Sequence, residues 1–280
     1  MTLFTITGEI TPIEPVLIQA LSGWVDAGAA GTDTAEVLAA SGTVVAYFDP
    51  DALFDYRSNR PVLDFLDGEI QGLEWPEITI RHVSREGRDV LVLTGMEPDL
   101  RWQQFSSAVA DVAEHFGVTR LISVGAVPAA VPHTMDSPVM MTASSKDLLV
   151  GQRVPEGLLR VPSAAVSVVD HHMAQRGFET VGFWAQVPHY VTEPFKPAVL
   201  SLVSRVAVHL GLDLALDDLR AEANQQRTRL DEIVASRPEA KAYVERLESM
   251  ASAEFGLGQE LATEVERFLR DVGGDNPFNQ

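Results

Sequence analysis

Three short segments of this chain join an ionisable side chain to a proline-stiffened turn. They are Gly95-Met96-Glu97-Pro98-Asp99, Val131-Pro132-His133-Thr134 and Val187-Pro188-His189-Tyr190. Each follows an apolar, β-branched run within a few residues. If those runs are neighbouring parallel strands, the segments leave one edge of a sheet, where open α/β sheets bind ligands. His133, His189, Glu97 and Asp99 would then converge with Asp26 and with the acid- and arginine-rich stretch 49–61. The candidate pocket comprises Asp26, Asp55, Arg57, Arg60, Glu97, Asp99, Arg101, His133 and His189. Imidazoles and carboxylates held together can act as general acids and bases. The alternative is structural: the same imidazoles hydrogen-bond loop backbone and hold irregular chain in place.

No catalytic residue can be singled out, because the motifs that specify a reaction are absent. The sequence contains no Gly-x-Ser-x-Gly elbow, no glycine-rich phosphate loop and no His-Glu-x-x-His. It has no cysteine, which excludes thiolate chemistry, disulfides and Cys-ligated zinc. His171 and His172 are adjacent, so on a helix they face different ways and cannot share one metal. Asp49, Asp51 and Asp55 are loop acids of the kind that cap or solvate. Neither a metal nor a cofactor is expected.

The positioning elements follow from apolar patterning. Val16 to Leu21, Val90 to Thr94, Leu121 to Val124 and Val181 to Ala185 are short runs without alternation, as in strands buried on both faces. Between the second and third lies a helix with Trp102, Phe105, Val109, Val112 and Phe116 on one stripe, capped by Asp99 and stopped by Gly117. This β-α-β unit should be a right-handed crossover between parallel strands. Asp26 is placed to cap a helix from about Ala27 to Ala40. The stretch 49–61 has no clear period, and Arg–carboxylate pairs would order it. Asp64 to Gly72 reads as a turn at Asp67-Gly68. Ile78 to Val83 alternates, as a half-exposed strand does.

From residue 213 the pattern becomes helical. Leu219, Ala223, Leu230, Ile233 and Val234 form one face, and Tyr243, Val244, Leu247 and Met250 another. Ser236 and Glu239 have capping-box spacing. A third face holds Leu261, Val265, Phe268 and Val272, before a tail from Gly273 to Gln280. The expected layout is an α/β domain over 1–212 and a helical region over 213–280. These apolar faces exceed what three short helices bury among themselves, so they must pack on the body or on another subunit.

The net charge of −19 argues against nucleic acid and anionic membrane surfaces as partners. No apolar run approaches the roughly 20 residues that span a bilayer. The first residues place no basic region before an apolar core. A cytoplasmic protein is expected.

Several motifs together resemble the PAC2 family, named for proteasome assembly chaperone 2, and most closely its actinobacterial branch. They are Gly23-Trp24-x-Asp26-Ala27-Gly28, Asp55-Tyr56-Arg57-x-x-Arg60-Pro61, Asp67-Gly68, Trp75-Pro76, Gly87-Arg88-Asp89-Val90-Leu91, Glu97-Pro98-Asp99-x-Arg101-Trp102, Gly125-Ala126-x-Pro128, Val131-Pro132-His133-Thr134 and Trp184-Ala185-x-Val187-Pro188-His189-Tyr190. The resemblance runs from about residue 16 to 212. It implies a mostly parallel sheet with helices on both faces, similar to the phosphorylase/hydrolase-like fold of nucleoside phosphorylases. It also implies a homo-oligomer, with a trimer favoured, and a non-catalytic assembly chaperone or protein-interaction module. The partners so implied are the proteasome or other protein subunits. The other reading is an enzyme on that fold, with a small-molecule pocket at the carboxyl edge of the strands. Eukaryotic relatives dock through a C-terminal hydrophobic-Tyr-x ending, which Gly274 to Gln280 does not resemble.

Overall fold

Runs without polar alternation become strands whose two faces are both covered. Val16–Ser22 (β2) buries its first six residues, and Arg88–Met96 (β7) buries a continuous run of six. The computed structural model describes residues 2–85 and 87–252. The remaining strands are Phe4–Ile6 (β1), Thr43–Phe48 (β3), Val62–Leu66 (β4), Glu69–Glu74 (β5), Ile78–Arg85 (β6), Arg120–Ala129 (β8), Val139–Ala143 (β9) and Glu179–Pro188 (β10). The helices are Ala30–Ala39 (α1), Pro50–Leu53 (α2), Trp102–His115 (α3), Ala165–Gln175 (α4), Lys196–Leu210 (α5) and Asp217–Ala235 (α6), followed by a helix over 238–252 (α7).

The main sheet has the order β1-β3-β6-β7-β2-β8-β10-β9. Its centre, β7-β2-β8-β10, is parallel, with Val16 of β2 opposite both Val90 and Arg120. The expected crossover is present: β7 leads through α3 to β8. The margins are antiparallel, through β1–β3, β3–β6, β6–β7 and β9–β10. The short 86–87 connection explains β6–β7, since antiparallel strands can be joined by a tight turn while parallel ones need a crossover.

Helices cover both faces. One core joins Leu17, Leu91, Leu93 and Leu121 to Phe105, Val109 and Val112 of α3 and to Val166, Val169 and Met173 of α4. The other joins Val16, Ile18, Val92 and Ile122 to Leu38 of α1 and to Val199, Leu202 and Val206 of α5. Alternate residues of one strand thus serve opposite cores.

The helical region docks on this body. Gln226 of α6 is buried; its Oε1 accepts the Lys196 N–H at 2.8 Å and its Nε2 donates to Pro194 O at 2.7 Å. Leu219 and Leu230 pack on the α5-side core, and Val244 and Leu247 of α7 are buried. Ile233 and Met250 stay exposed. The expected face at Leu261, Val265, Phe268 and Val272 and the tail from Gly273 lie outside the described residues. Ser236 does not cap α7. It closes α6, its hydroxyl donating at 2.7 Å to Ile233 O, one of the carbonyls that the last turn of a helix leaves free.

The stretch expected as a turn at Asp67-Gly68 is a hairpin, β4–β5, outside the main sheet. Asp67 and Gly68 both take positive φ (51° and 87°), the geometry of a two-residue primed turn. Leu63 pairs with Leu73 and Phe65 with Ile70, which puts four apolar side chains on one face. The opposite face carries Val62, Asp64, Leu66, Glu69 and Glu74. Every residue of the two strands except Gly72 is exposed.

Candidate functional site

Parallel register sends Glu97, after β7, and His133 and His189, after β8 and β10, out of the same edge of the sheet. Strand β2 lies between β7 and β8, and the expected residues fall into two groups on either side of it.

On the β7 side the carboxylates act as anchors. Glu97 Oε1 accepts the Ala165 N–H at 2.7 Å, satisfying one of the free amides that open α4. Asp99 accepts the Asp55 N–H at 2.8 Å and the Asn59 Nδ2 at 2.9 Å, so it fastens the 55–59 loop. It does not cap α3. Arg101, in the left-handed region at φ 58°, precedes that helix, and no side chain caps it. The carboxylate is diverted because the loop after α2 presents donors to it.

The Arg–carboxylate pairs expected to order 49–61 are not formed. Arg57, Arg60 and Arg101 are exposed and meet no carboxylate among the described residues. Shorter side chains do the ordering. Asp49 accepts the Asp51 N–H at the start of α2, Asp55 Oδ1 accepts the Arg57 N–H at 3.0 Å, and Tyr56 donates to Asp51 at 2.6 Å while packing edge-on against Trp75. A long arginine side chain gives up more rotamer freedom than a short Asp does in making such a bond.

Between the groups, Asp26 Oδ1 accepts the N–H groups of Gly31 (2.7 Å) and Thr32 (3.1 Å), and Oδ2 accepts the Thr32 hydroxyl at 2.6 Å. The expected capping is present but displaced: residues 27–29 form a 3₁₀ turn, and α1 begins at Ala30. Burial raises the pKa of Asp26, and the three bonds oppose that rise.

On the β8–β10 side the histidines meet the helical region. His133 is fully buried. Its Nδ1 and its own N–H both lie at the Tyr190 hydroxyl (2.8 and 2.9 Å), and Nε2 lies 3.2 Å from Asp231 Oδ1 of α6. The carboxylate requires the proton on Nε2, which leaves Nδ1 to accept from Tyr190. Burial holds this imidazole below its ordinary pKa, against the pull of Asp231. His189 places Nδ1 3.0 Å from Ala129 O and Nε2 3.2 Å from the Tyr243 hydroxyl of α7. Its proton therefore sits on Nδ1, facing the carbonyl. Thr134 donates to Glu248 of α7 at 2.5 Å. A hollow of about 210 Å³ remains beside His133, with Asp231, Lys241 and Glu248 in its walls.

The tyrosines and α6–α7 partners of these histidines were not among the expected site residues. Tyr190 lies in a noted motif, but Asp231 and Tyr243 are isolated on amphipathic helices and carry no local signal. The same is true of a buried polar cluster under the sheet. Asp170 of α4 accepts from the Ser123 hydroxyl and from Gln19 Nε2 at 3.1 Å, and Gln19 Nε2 also lies 2.7 Å from Ser123 Oγ. Burial pushes the Asp170 carboxyl up to about 7, although Ser123 and Gln19 favour its charged form. The candidate carboxylates and imidazoles are thus spent on holding chain segments together. Among the described residues no group of three His, Asp or Glu is placed to hold a metal ion.

The PAC2 family model matches residues 20–234. A Mycobacterium tuberculosis protein of unknown function is similar at 31% identity, over 93% of this chain and 92% of its own, with a TM-score of 0.86. A proteasome-assembly chaperone homologue from the same organism is 33% identical, over 82% of this chain and 99% of its own, with a TM-score of 0.77. An archaeal proteasome activator from Pyrococcus furiosus shares the fold at 17% identity, over 83% of this chain and 99% of its own, with a TM-score of 0.66. No curated protein matches the chain.

Proposed function

The chain belongs to the PAC2 family, and from that premise we propose that it is a non-catalytic assembly chaperone, a cytoplasmic protein-interaction module acting on proteasome or other protein subunits. One observation carries this reading. The acid and base groups of the strand-end edge are engaged in structural contacts: Glu97 with α4, Asp99 with the 55–59 loop, and His133 and His189 with α6 and α7. An acid–base enzyme would keep such groups facing a substrate. The likeness to a proteasome-assembly chaperone homologue supports the same reading. So does the family likeness of the motifs on that edge. We further take 1–212 as the body that makes these contacts and 213–280 as the helical region fastened to it.

The working form is taken to be a homo-oligomer, a trimer. In the helical region Leu219 and Leu230 pack on the body and Val244 and Leu247 are buried, so these four residues do not call for a second subunit. The hairpin does. A two-stranded hairpin is marginal alone and needs a further strand or a packed face. Here Leu63, Phe65, Ile70 and Leu73 are all exposed on one side of it.

The test reconstitutes proteasome α- and β-subunits with and without the full chain. Native gels should show faster appearance of assembly intermediates that contain the chain. Unchanged assembly together with turnover in a metabolite screen would overturn the reading. Light scattering at micromolar concentration should give three times the 30.5 kDa protomer mass, and a monomer would overturn the oligomer.

A further inference from the structure

Two of the motifs that carry the family likeness lie together on the β7 side of the edge, and the fold uses only part of each. They are Asp55-Tyr56-Arg57-x-x-Arg60-Pro61 and Glu97-Pro98-Asp99-x-Arg101-Trp102. Asp99 accepts from the Asp55 N–H and from Asn59, and the Leu100 N–H donates to Leu53 O at 3.0 Å. The two segments are therefore tied side by side. Every acidic and aromatic side chain in them has a structural partner. Glu97 accepts the Ala165 N–H, Asp55 accepts the Arg57 N–H, Tyr56 donates to Asp51, and Trp102 donates to Pro98 O. The arginines have no such use. Arg57, Arg60 and Arg101 are exposed, and no carboxylate among the described residues meets their guanidinium groups.

Apolar surface adjoins these cations. Leu100, next to Arg101, is 46% exposed, and Trp24 is 66% exposed. Trp24 stands on a loop fixed at both ends: Ser22 O accepts the Glu97 N–H at 3.0 Å, and Val25 O accepts the Ala126 N–H at 2.7 Å. The first of these bonds sets the Trp24 loop beside the segment that carries Leu100 and Arg101. Arginine and tryptophan dominate the energetics of protein contacts: the guanidinium fork matches a carboxylate, and the indole brings a large rigid apolar face. A small-molecule site encloses its ligand. Here the three arginines stand on open surface, and the hollow of about 660 Å³ beside Arg101 is itself open.

We propose that Trp24, Arg57, Arg60, Leu100 and Arg101 form a docking surface for an acidic segment of a partner protein. Its carboxylates pair with the guanidinium groups, and an apolar side chain of the segment packs against Trp24 and Leu100. This rests on the protein-interaction reading above and gives the partner its chemistry. Charge complementarity sets the fit. A chain of net charge −19 repels an acidic partner as a whole, so contact is directed to a face where positive charge is left unpaired.

The experiment measures fluorescence anisotropy of a fluorescein-labelled peptide of alternating glutamate and leucine, titrated with the full-length chain. A serine–leucine peptide of the same length is the neutral control and should bind roughly tenfold more weakly or not at all. Arg57→Gln, Arg60→Gln, Arg101→Gln and Trp24→Ala should each weaken binding of the acidic peptide by roughly fivefold or more. All four positions are exposed, so the changes leave the fold intact. Arg220→Gln, at an exposed position of α6, should change nothing. No binding of the acidic peptide, or an equal loss in Arg220→Gln, would overturn the proposal. Displacement of the peptide by millimolar inorganic phosphate would mean a small-anion site and overturn it too. So would a fall in the light-scattering mass of the arginine variants, which would mean a contact between copies. The assembly assay separates this proposal from the reading beneath it. Arginine variants that speed assembly as well as wild type would overturn the surface and leave the chaperone reading standing. Peptide binding by a wild type that does not speed assembly would overturn that reading and leave the surface standing.

Discussion

Replacing Asp170 by Asn should remove a pH dependence from the stability of this protein. The residue as a whole keeps some exposed surface, but its carboxyl faces inward against Ser123 and Gln19, with no cation beside it. Its ordinary value of 3.8 is raised to about 7 by burial. The folded state therefore holds a proton that the unfolded chain releases. The stability so gained is fully present below about pH 4 and is lost as pH rises through about 7. A rise of about three pH units, at about 1.4 kcal/mol each, amounts to roughly 4 kcal/mol over the whole window. Between pH 5 and 7 the expected loss is roughly 2–3 kcal/mol. The Asn amide cannot ionise, yet its oxygen still accepts from the Ser123 hydroxyl. Urea unfolding at half-unit intervals from pH 5 to 8 should show the difference between wild type and Asp170→Asn moving in the variant's favour by that amount. Parallel stability profiles would refute the reasoning and mean that the carboxyl ionises as a solvated one does.

Three further outcomes follow from the edge of the sheet. His133→Ala strands Asp231 and the Tyr190 hydroxyl, and should cost about 1–3 kcal/mol, with faster hydrogen exchange in α6 and α7 than in the sheet. Because burial lowers the His133 pKa, wild type should lose part of that attachment as pH falls below about 6.5, a loss the alanine variant lacks. Glu97→Ala removes the acceptor for the Ala165 amide and should destabilise by about 0.5–2 kcal/mol, seen as a lower midpoint in thermal unfolding. Gly95→Ala should be worse than either, because a Cβ there would lie 2.1 Å from Glu77 O at a φ of 147°; soluble expression at wild-type level would contradict that.

How much of this was legible beforehand differs between fold and site. The parallel centre was legible because a strand buried on both faces has to be apolar throughout, as Val16 to Leu21 is. Helix ends at Gly117 and Gly211 were legible because positive φ favours glycine. Asp67-Gly68 signals the turn of the hairpin but not its two strands. Its strands mix acids into both edges, and no core side requires the alternation. Asp99 and Ser236 do not cap the helices that their spacing suggests. Each has a helix start within reach in sequence, but Asp99 is claimed by loop donors some 40 residues away that only folding brings near, and Ser236 by a carbonyl in the last turn of the helix before it.

The sequence by itself determined the α/β order of elements, the two-sided burial of the central strands and the single edge from which Glu97, His133 and His189 emerge. Those follow from hydrophobic pattern and chain connectivity, which are local. Only the tertiary structure decided what those residues touch. A carboxylate or imidazole at a strand end serves whichever partner arrives there. Here the arrivals are α4, the 55–59 loop and the α6–α7 pair, whose polar groups lie up to about a hundred residues away along the chain. Long-range docking of that kind is set by the packing of two cores and one helical region, and no local pattern encodes it.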